Sequence, residues 1–177
     1  FNPGHHAITG DSPLQAILNS LRFGVGTVLL AVPLGVLASL AIGRLRWPGR
    51  DLLELLVLTP LGVSGVALGF GLLRATVRSP LAGGAQWAIV AVHALLALPF
   101  VVRTVRPALE ALHPSLRESA RALGASRWRA LRDVELPLIV RSLLLGGALA
   151  FSISFSEMTA TITLAPPGLS TMPLAVY

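Results

Sequence analysis

Cysteine is absent from this chain, which excludes disulfides, thiol catalysis and cysteine-ligated metal sites and leaves the redox compartment open. Charge is scarce: 12% of residues are charged against 54% hydrophobic, and the mean hydropathy is +0.75, well outside the range of soluble domains. The motifs of common enzymes are missing as well. No H-E-x-x-H, no G-x-S-x-G, no phosphate loop and no paired carboxylates within an apolar run can be found, so no catalytic residue, metal ligand set or cofactor is expected. Lysine is absent too, so all 14 basic residues are arginines, giving a net charge of +6. Basicity of this kind is compatible with nucleic acid, but the arginines lie in short loops between apolar runs, where they report membrane topology instead. There is no internal repeat.

What is present is hydrocarbon in lengths that fit a bilayer, which takes roughly 20 predominantly apolar residues per helix. The expected fold is an all-α, polytopic transmembrane helix bundle, with spans at about 21–43, 52–73, 83–105 and 136–156 and a polar loop at 106–135. Arg141, near the start of the fourth span, is close enough to an interface for its guanidinium to snorkel out. Residues 1–20 mix Gly, Pro, His and Asp, and 157–177 are rich in Thr and Pro, so both read as loops or surface segments. Eleven arginines flank the loop after span one and the loop between spans three and four; three (Arg22, Arg74, Arg78) lie on the other side. The positive-inside rule then places the 106–135 loop in the cytoplasm and both termini outside. A cysteine at Ser126 is expected to react with an impermeant thiol reagent from the cytoplasmic side, and one at Gly83 from the outside. The opposite pattern would invert the topology.

The stretch ESARALGASRWRALRDVELPLI, residues 118–139, is the one long polar passage, and its chemistry is that of two short helices folded into a hairpin. Pro114 suits a first helical position, and Leu116, Ala120 and Leu123 form an apolar stripe. Gly124 can take the left-handed conformation that ends a helix, Ser126 caps the next one, and Pro137 opens the fourth span. Trp128, Leu131 and Val134 are expected on one side of the second helix. Arg117 and Arg121 form a like-charge pair that Glu118 can relieve at i+3. Two destinations fit so basic a hairpin: anionic lipid headgroups and a protein partner.

Glu118-x-Ala120, three residues, Gly124, nine residues, then Val134-x-Leu136-Pro137 resembles the EAA motif of ABC-transporter permeases of the binding-protein-dependent importer type, with Ser119 for the first alanine and Val134 for isoleucine. Residues 19–41 are similar to the span that opens the core of these permeases. SFSEMTATITL, followed by STMPLAVY, resembles the iron(III)- and thiamine-type branch, although Ser156 to Thr161 keeps only part of its Gly-Glu-Phe-Gly-Ala-Thr pattern. The resemblance implies a permease subunit of an ATP-driven importer in a bacterial inner membrane. The loop would be a coupling helix that docks on a separate cytoplasmic ATP-binding subunit through Glu118, Ala120, Gly124, Trp128, Leu136 and Pro137. A second permease half and a periplasmic or extracellular solute-binding protein would complete the assembly. The chain opens at Phe1 without the charged segment and cleavage site of a signal peptide, and it ends at Tyr177 without the family's final span. It is read as one permease half cut at both ends.

Within the spans, TPLGVSGVALGFG at 59–71 carries Pro60, Ser64 and three glycines, Gly62, Gly65 and Gly69, expected near one face. Broken helices that line a cavity use such residues, and so does close helix packing through Gly65 and Gly69. Ser64, Gly65 and Glu157 are the candidate substrate-path residues, Glu157 as a carboxylate able to attract a cation or simply as a solvated helix end. Ser152, Ser154 and Ser156 are expected to bond their own helix backbone. His93 lies deep in span three, where a neutral imidazole bonded to a neighbouring helix competes with an ion-coupling role. Two other functions remain in view: an ion-coupled secondary carrier, for which His93 is the sole candidate group, and a membrane scaffold subunit that transports nothing.

Overall fold

The structure, a computed structural model, describes residues 13–44, 48–78, 85–166 and 168–176, and every regular element among them is helical. In chain order the elements are α1 (Pro13–Arg44), α2 (Arg50–Leu58), a 3₁₀ turn (Thr59–Gly62), α3 (Gly65–Arg78) and α4 (Ala85–Glu110). They continue with α5 (Pro114–Ala122), α6 (Arg127–Ala130), a π turn (Leu131–Glu135), α7 (Leu136–Leu138), α8 (Val140–Ser156), α9 (Thr159–Leu164) and α10 (Met172–Val176). Gly83 lies outside the described residues.

Helices α1, α4 and α8 form the core of the bundle, because their shared faces are made of small and β-branched residues that let backbones approach. Ala31, Ala94, Ala97, Val101 and Ala150 are fully or nearly fully buried there. A Cβ built on Gly146 would lie 3.4 Å from the Val101 side chain, and one on Gly35 would overlap it, so α1 and α8 close on α4 at the same valine. The opposite side of α1 shows Leu14, Leu18, Leu21, Val25 and Leu29 exposed, which is the expected surface of a helix whose solvent is lipid.

Two helices, Pro13–Gly43 and Gln86–Glu110, are long and apolar enough to cross a membrane unbroken. The second and fourth expected spans are instead bent pairs. Arg50–Gly62 meets Gly65–Ala75 at 111°, and Arg127–Leu138 meets Val140–Ser156 at 77°. The first bend follows from Pro60 opening a tight 3₁₀ turn, after which Val63 is extended (φ −108°, ψ 137°) and breaks the helical run. The second follows from Pro137, which lacks an N–H and whose ring would clash with the Asp133 carbonyl in a regular α-helix. The chain widens into the π turn just before it and turns at Ile139 (φ −101°, ψ 14°).

The structure differs from the sequence-based expectation at several points, the first being that α4 runs on to Glu110, five residues into the expected 106–135 loop. Residues 13–20, read as loop, are the first turns of α1, since their apolar side chains need no water on a lipid-facing helix. The 157–177 segment, also read as loop, contains α9 and α10. It is held to α1 by two hydrogen bonds: Asn19 Nδ2 donates to the Ser170 carbonyl (2.9 Å), and Ser20 Oγ accepts from the Met172 N–H (2.8 Å). Gly62 does not share a face with Gly65 and Gly69. It ends the 3₁₀ turn, with open space where its Cβ would be.

Candidate functional site

Two regions carry the polar groups singled out in the sequence, one at the arginine-rich end of the bundle and one where α3, α4, α8 and α9 meet.

The first is the hairpin. Its opening helix begins at Pro114, and the ring of His113, a cap the sequence reading missed, accepts the Ser115 N–H. It ends in a complete Schellman motif: the Ala125 N–H donates to the Ala120 carbonyl (3.0 Å) and the Gly124 N–H to the Arg121 carbonyl (2.9 Å), with Gly124 at φ +85°. Ala120, a motif alanine, therefore supplies one of the two carbonyls that close the turn. Ser126 Oγ then accepts the Arg129 N–H at 3.3 Å and starts α6. An unlooked-for ion pair closes the hairpin onto the fourth span: Arg117 Nε lies 3.0 Å from Oε1 of Glu135, a buried carboxylate just before Leu136 and Pro137. Arg117 thus has an acidic partner, but it is Glu135. The expected Glu118–Arg121 ion pair is not formed among the described residues, and Glu118 is exposed. The charge pattern showed Arg117 in need of an acceptor; only folding chose one eighteen residues away.

The apolar faces of the hairpin divide in an unexpected way. Leu131 is buried and Val134 half-buried, whereas Trp128 is 69% exposed and Leu123 89% exposed. The three residues expected on one side are separated because the π turn at Leu131–Glu135 departs from the 100° step of an α-helix. Between the two helices lies a hollow of about 300 Å³ lined by Ala120, Leu123, Gly124, Arg129, Asp133 and Val134. Leu136 is half-buried at the base of the hairpin and Pro137 is exposed.

In the second region, Gly65 of the bent second span meets Glu157 and Thr159 at the start of α9. A Cβ on Gly65 would clash with the Thr159 hydroxyl and lie 3.1 Å from Glu157 Oε1, and one on Gly69 would clash with the Thr163 hydroxyl and lie 3.1 Å from the Ala160 carbonyl. The glycine pair is therefore the close-packing seam between α3 and α9, the bland alternative of the sequence reading. Glu157 is occupied structurally: its Oε1 accepts from the Thr159 hydroxyl and from the Ala160 N–H (3.0 Å), fastening a negative charge to the N-terminus of α9. Ser64, at the bend before α3, is exposed.

Beside this seam runs a buried polar chain. Thr27 Oγ1 donates to Ser154 Oγ (3.1 Å), His93 Nδ1 is 2.8 Å from Ser154 Oγ, His93 Nε2 is 3.0 Å from Thr161 Oγ1, and Thr161 Oγ1 donates to the Glu157 carbonyl (2.9 Å). A hydroxyl has one proton, and Thr161 spends its own on that carbonyl, so Nε2 of His93 must be the donor. With a single ring proton, on Nε2, Nδ1 is the acceptor for the Ser154 hydroxyl. The chain runs in one direction through α1, α8, α4 and α9, with every side chain in it buried. Ser154 differs here from the expectation of bonding to its own helix, whereas Ser156 does bond to the Ser152 and Ile153 carbonyls. His93→Leu should leave the Ser154 and Thr161 hydroxyls without their imidazole partner, at about 1–3 kcal/mol each. The expected result is a clearly lower melting temperature in detergent, with His93→Gln recovering most of the loss, since its amide offers both an acceptor and a donor. Equal melting of wild type and His93→Leu would refute the chain.

Comparison with known proteins accounts for this arrangement. Residues 31–177 match the family described as the binding-protein-dependent transport system inner membrane component. The chain belongs to that family. It is 34% identical to the molybdenum transport system permease protein ModB of Escherichia coli K12, over 96% of this chain and 81% of that one. It is 32% identical to PhnV of Salmonella paratyphi A, a permease named for 2-aminoethylphosphonate transport, over 92% of this chain and 62% of that one. Its fold resembles the crystal structure of an amino acid ABC transporter with histidines (TM-score 0.59, 20% identity, 88% of this chain and 73% of that one). This permease is therefore an inner-membrane component of an ATP-driven importer and not itself an enzyme; in its family ATP is hydrolysed by a separate subunit. The relatives named here do not support the iron(III) and thiamine branch read from residues 156–161.

Proposed function

We propose that the hairpin that starts at Pro114, within the expected 106–135 loop, faces the cytoplasm and is the surface on which the ATPase subunit acts. The observation that carries this reading is a hairpin capped at its helix starts and its turn that nevertheless leaves Leu123 and Trp128 exposed at its tip. A hairpin built only to rest on lipid headgroups has no need of a Schellman turn and an ion pair to fix its angle. Glu118 and Trp128 present charge and indole to the partner. Ala120 and Gly124 form the turn, and Leu136 and Pro137 connect it to the bent fourth span. A second permease half would meet this one across the bundle, and a solute-binding protein would dock at the opposite end.

The solute path we assign to the bent second span, with Ser64 at the bend and Gly65 against Glu157. Because Glu157 is engaged in capping α9, it is a wall of the path more than a free cation site. For the solute, the names of the 34% and 32% relatives favour molybdenum or 2-aminoethylphosphonate over iron(III) or thiamine. The test is uptake into vesicles reconstituted with this permease, its ATPase and its binding protein, using molybdate, 2-aminoethylphosphonate, iron(III) and thiamine in competition. ATP-dependent accumulation of either of the first two supports the assignment, and accumulation of iron(III) or thiamine alone would reverse it. An ion-coupled carrier fares worse on the structure, since His93 spends both ring nitrogens on hydroxyls.

A further inference from the structure

Arg106 stands near the arginine-rich end of α4, one turn before Glu110, and its guanidinium is forked between two helices. Nε donates to Glu110 Oε1 at 2.8 Å, within α4, and Nη1 donates to Glu54 Oε1 at 2.7 Å, on α2. The guanidinium's planar array of donors suits two carboxylates at once. A cavity of about 310 Å³ separates α2 from α4 there, with Val57 and Leu58 on one side and Val102, Arg103 and Pro107 on the other. Apolar contact between these helices is confined to a small cluster around Ile42, Val57 and Val102. Where side chains do not fill the gap, the Arg106–Glu54 bridge spans it.

Its position gives the bridge a consequence. Four residues after Glu110 the chain enters α5 at Pro114, so a pull on the hairpin reaches α4 within about two turns of Arg106. On the other side, α2 leads directly into the 111° bend and the Gly65 seam. Resting on the proposed role of the hairpin, we infer that Arg106 is a positioning residue that carries displacement of α4 into α2, so that the bent span moves with the hairpin. The two arms of the fork are not equivalent in this role. Glu110 braces the guanidinium from its own helix, whereas Glu54 is the far anchor.

Two matched deletions separate transmission from local charge satisfaction. Glu54→Gln and Glu110→Gln each remove one ion pair of nearly equal length. In vesicles with ATPase and binding protein, Glu54→Gln should lower solute moved per ATP hydrolysed by about fivefold or more, the lower end of ordinary inter-site coupling. Glu110→Gln should stay close to wild type. Because these 177 residues hold no native cysteine, Glu54→Cys with Arg106→Cys can be joined by a short bifunctional thiol reagent without competing sites among them. Joining should restore the ratio that the unjoined double variant loses. Equal behaviour of the two glutamine variants, or a block of uptake on cross-linking, would overturn the inference. Capture of the ATPase by the wild-type permease, measured in the same preparations, reports separately on the proposed function of the hairpin.

Discussion

Gly124→Pro is expected to abolish ATP-dependent uptake while leaving the permease in the membrane, the largest effect anticipated for any single change in the hairpin. Two physical terms act together. Gly124 sits at φ +85°, whereas proline is held near −65°, and the Gly124 N–H that donates to the Arg121 carbonyl is one that proline does not have. The turn would open, and the 77° junction with α8 would receive α5 at a different angle. Glu118→Lys should also abolish uptake, by reversing the charge offered to the ATPase without touching the turn. A graded series makes the first argument specific. Gly124→Ala pays only the left-handed penalty, about 1–2 kcal/mol, and should retain partial uptake. Gly124→Asn, whose side chain tolerates that region, should come closest to wild type. Membrane-inserted Gly124→Pro protein that transports normally would show that the turn geometry is irrelevant to transport.

The second large effect is expected at Trp128. An indole that is 69% exposed in the isolated chain, between Arg127 and Arg129, either fills a pocket on the ATPase or lies among lipid headgroups. If the ATPase covers it, Trp128→Ala should weaken co-purification of that subunit by roughly thirtyfold, the equivalent of about 2 kcal/mol for a buried aromatic anchor. Leu123, still more exposed on the facing side of the hollow, should show a smaller loss in the same assay. Matched capture by wild type and Trp128→Ala at equal expression would return the indole to the lipid surface. Because the cap at Ser126 and the buried Ala130 and Leu131 lie on other sides of α6 and its π turn, the substitution leaves the hairpin's own packing in place, and a loss of capture reads as a loss of contact.

Composition and local pattern were enough for the membrane class, the helical fold and the hairpin. Hydropathy acts through every residue of a span, and a glycine directly after a helix stripe, a serine before the next helix and a proline at the head of an apolar run each exert their effect within one turn of chain. Family membership was legible for the same reason, since the spacing from Glu118 to Pro137 is a local property. The tertiary structure decided what depends on distant partners. It chose Glu135 for Arg117 and Glu54 for Arg106, joined His93 to Ser154 and Thr161, and set Gly65 and Gly69 against Thr159 and Thr163. It also turned two expected spans into bent pairs, because a proline within an apolar run permits either a kink or a break, and the packing around it selects one. Helix periodicity states which face is apolar; it does not state which other helix that face will meet.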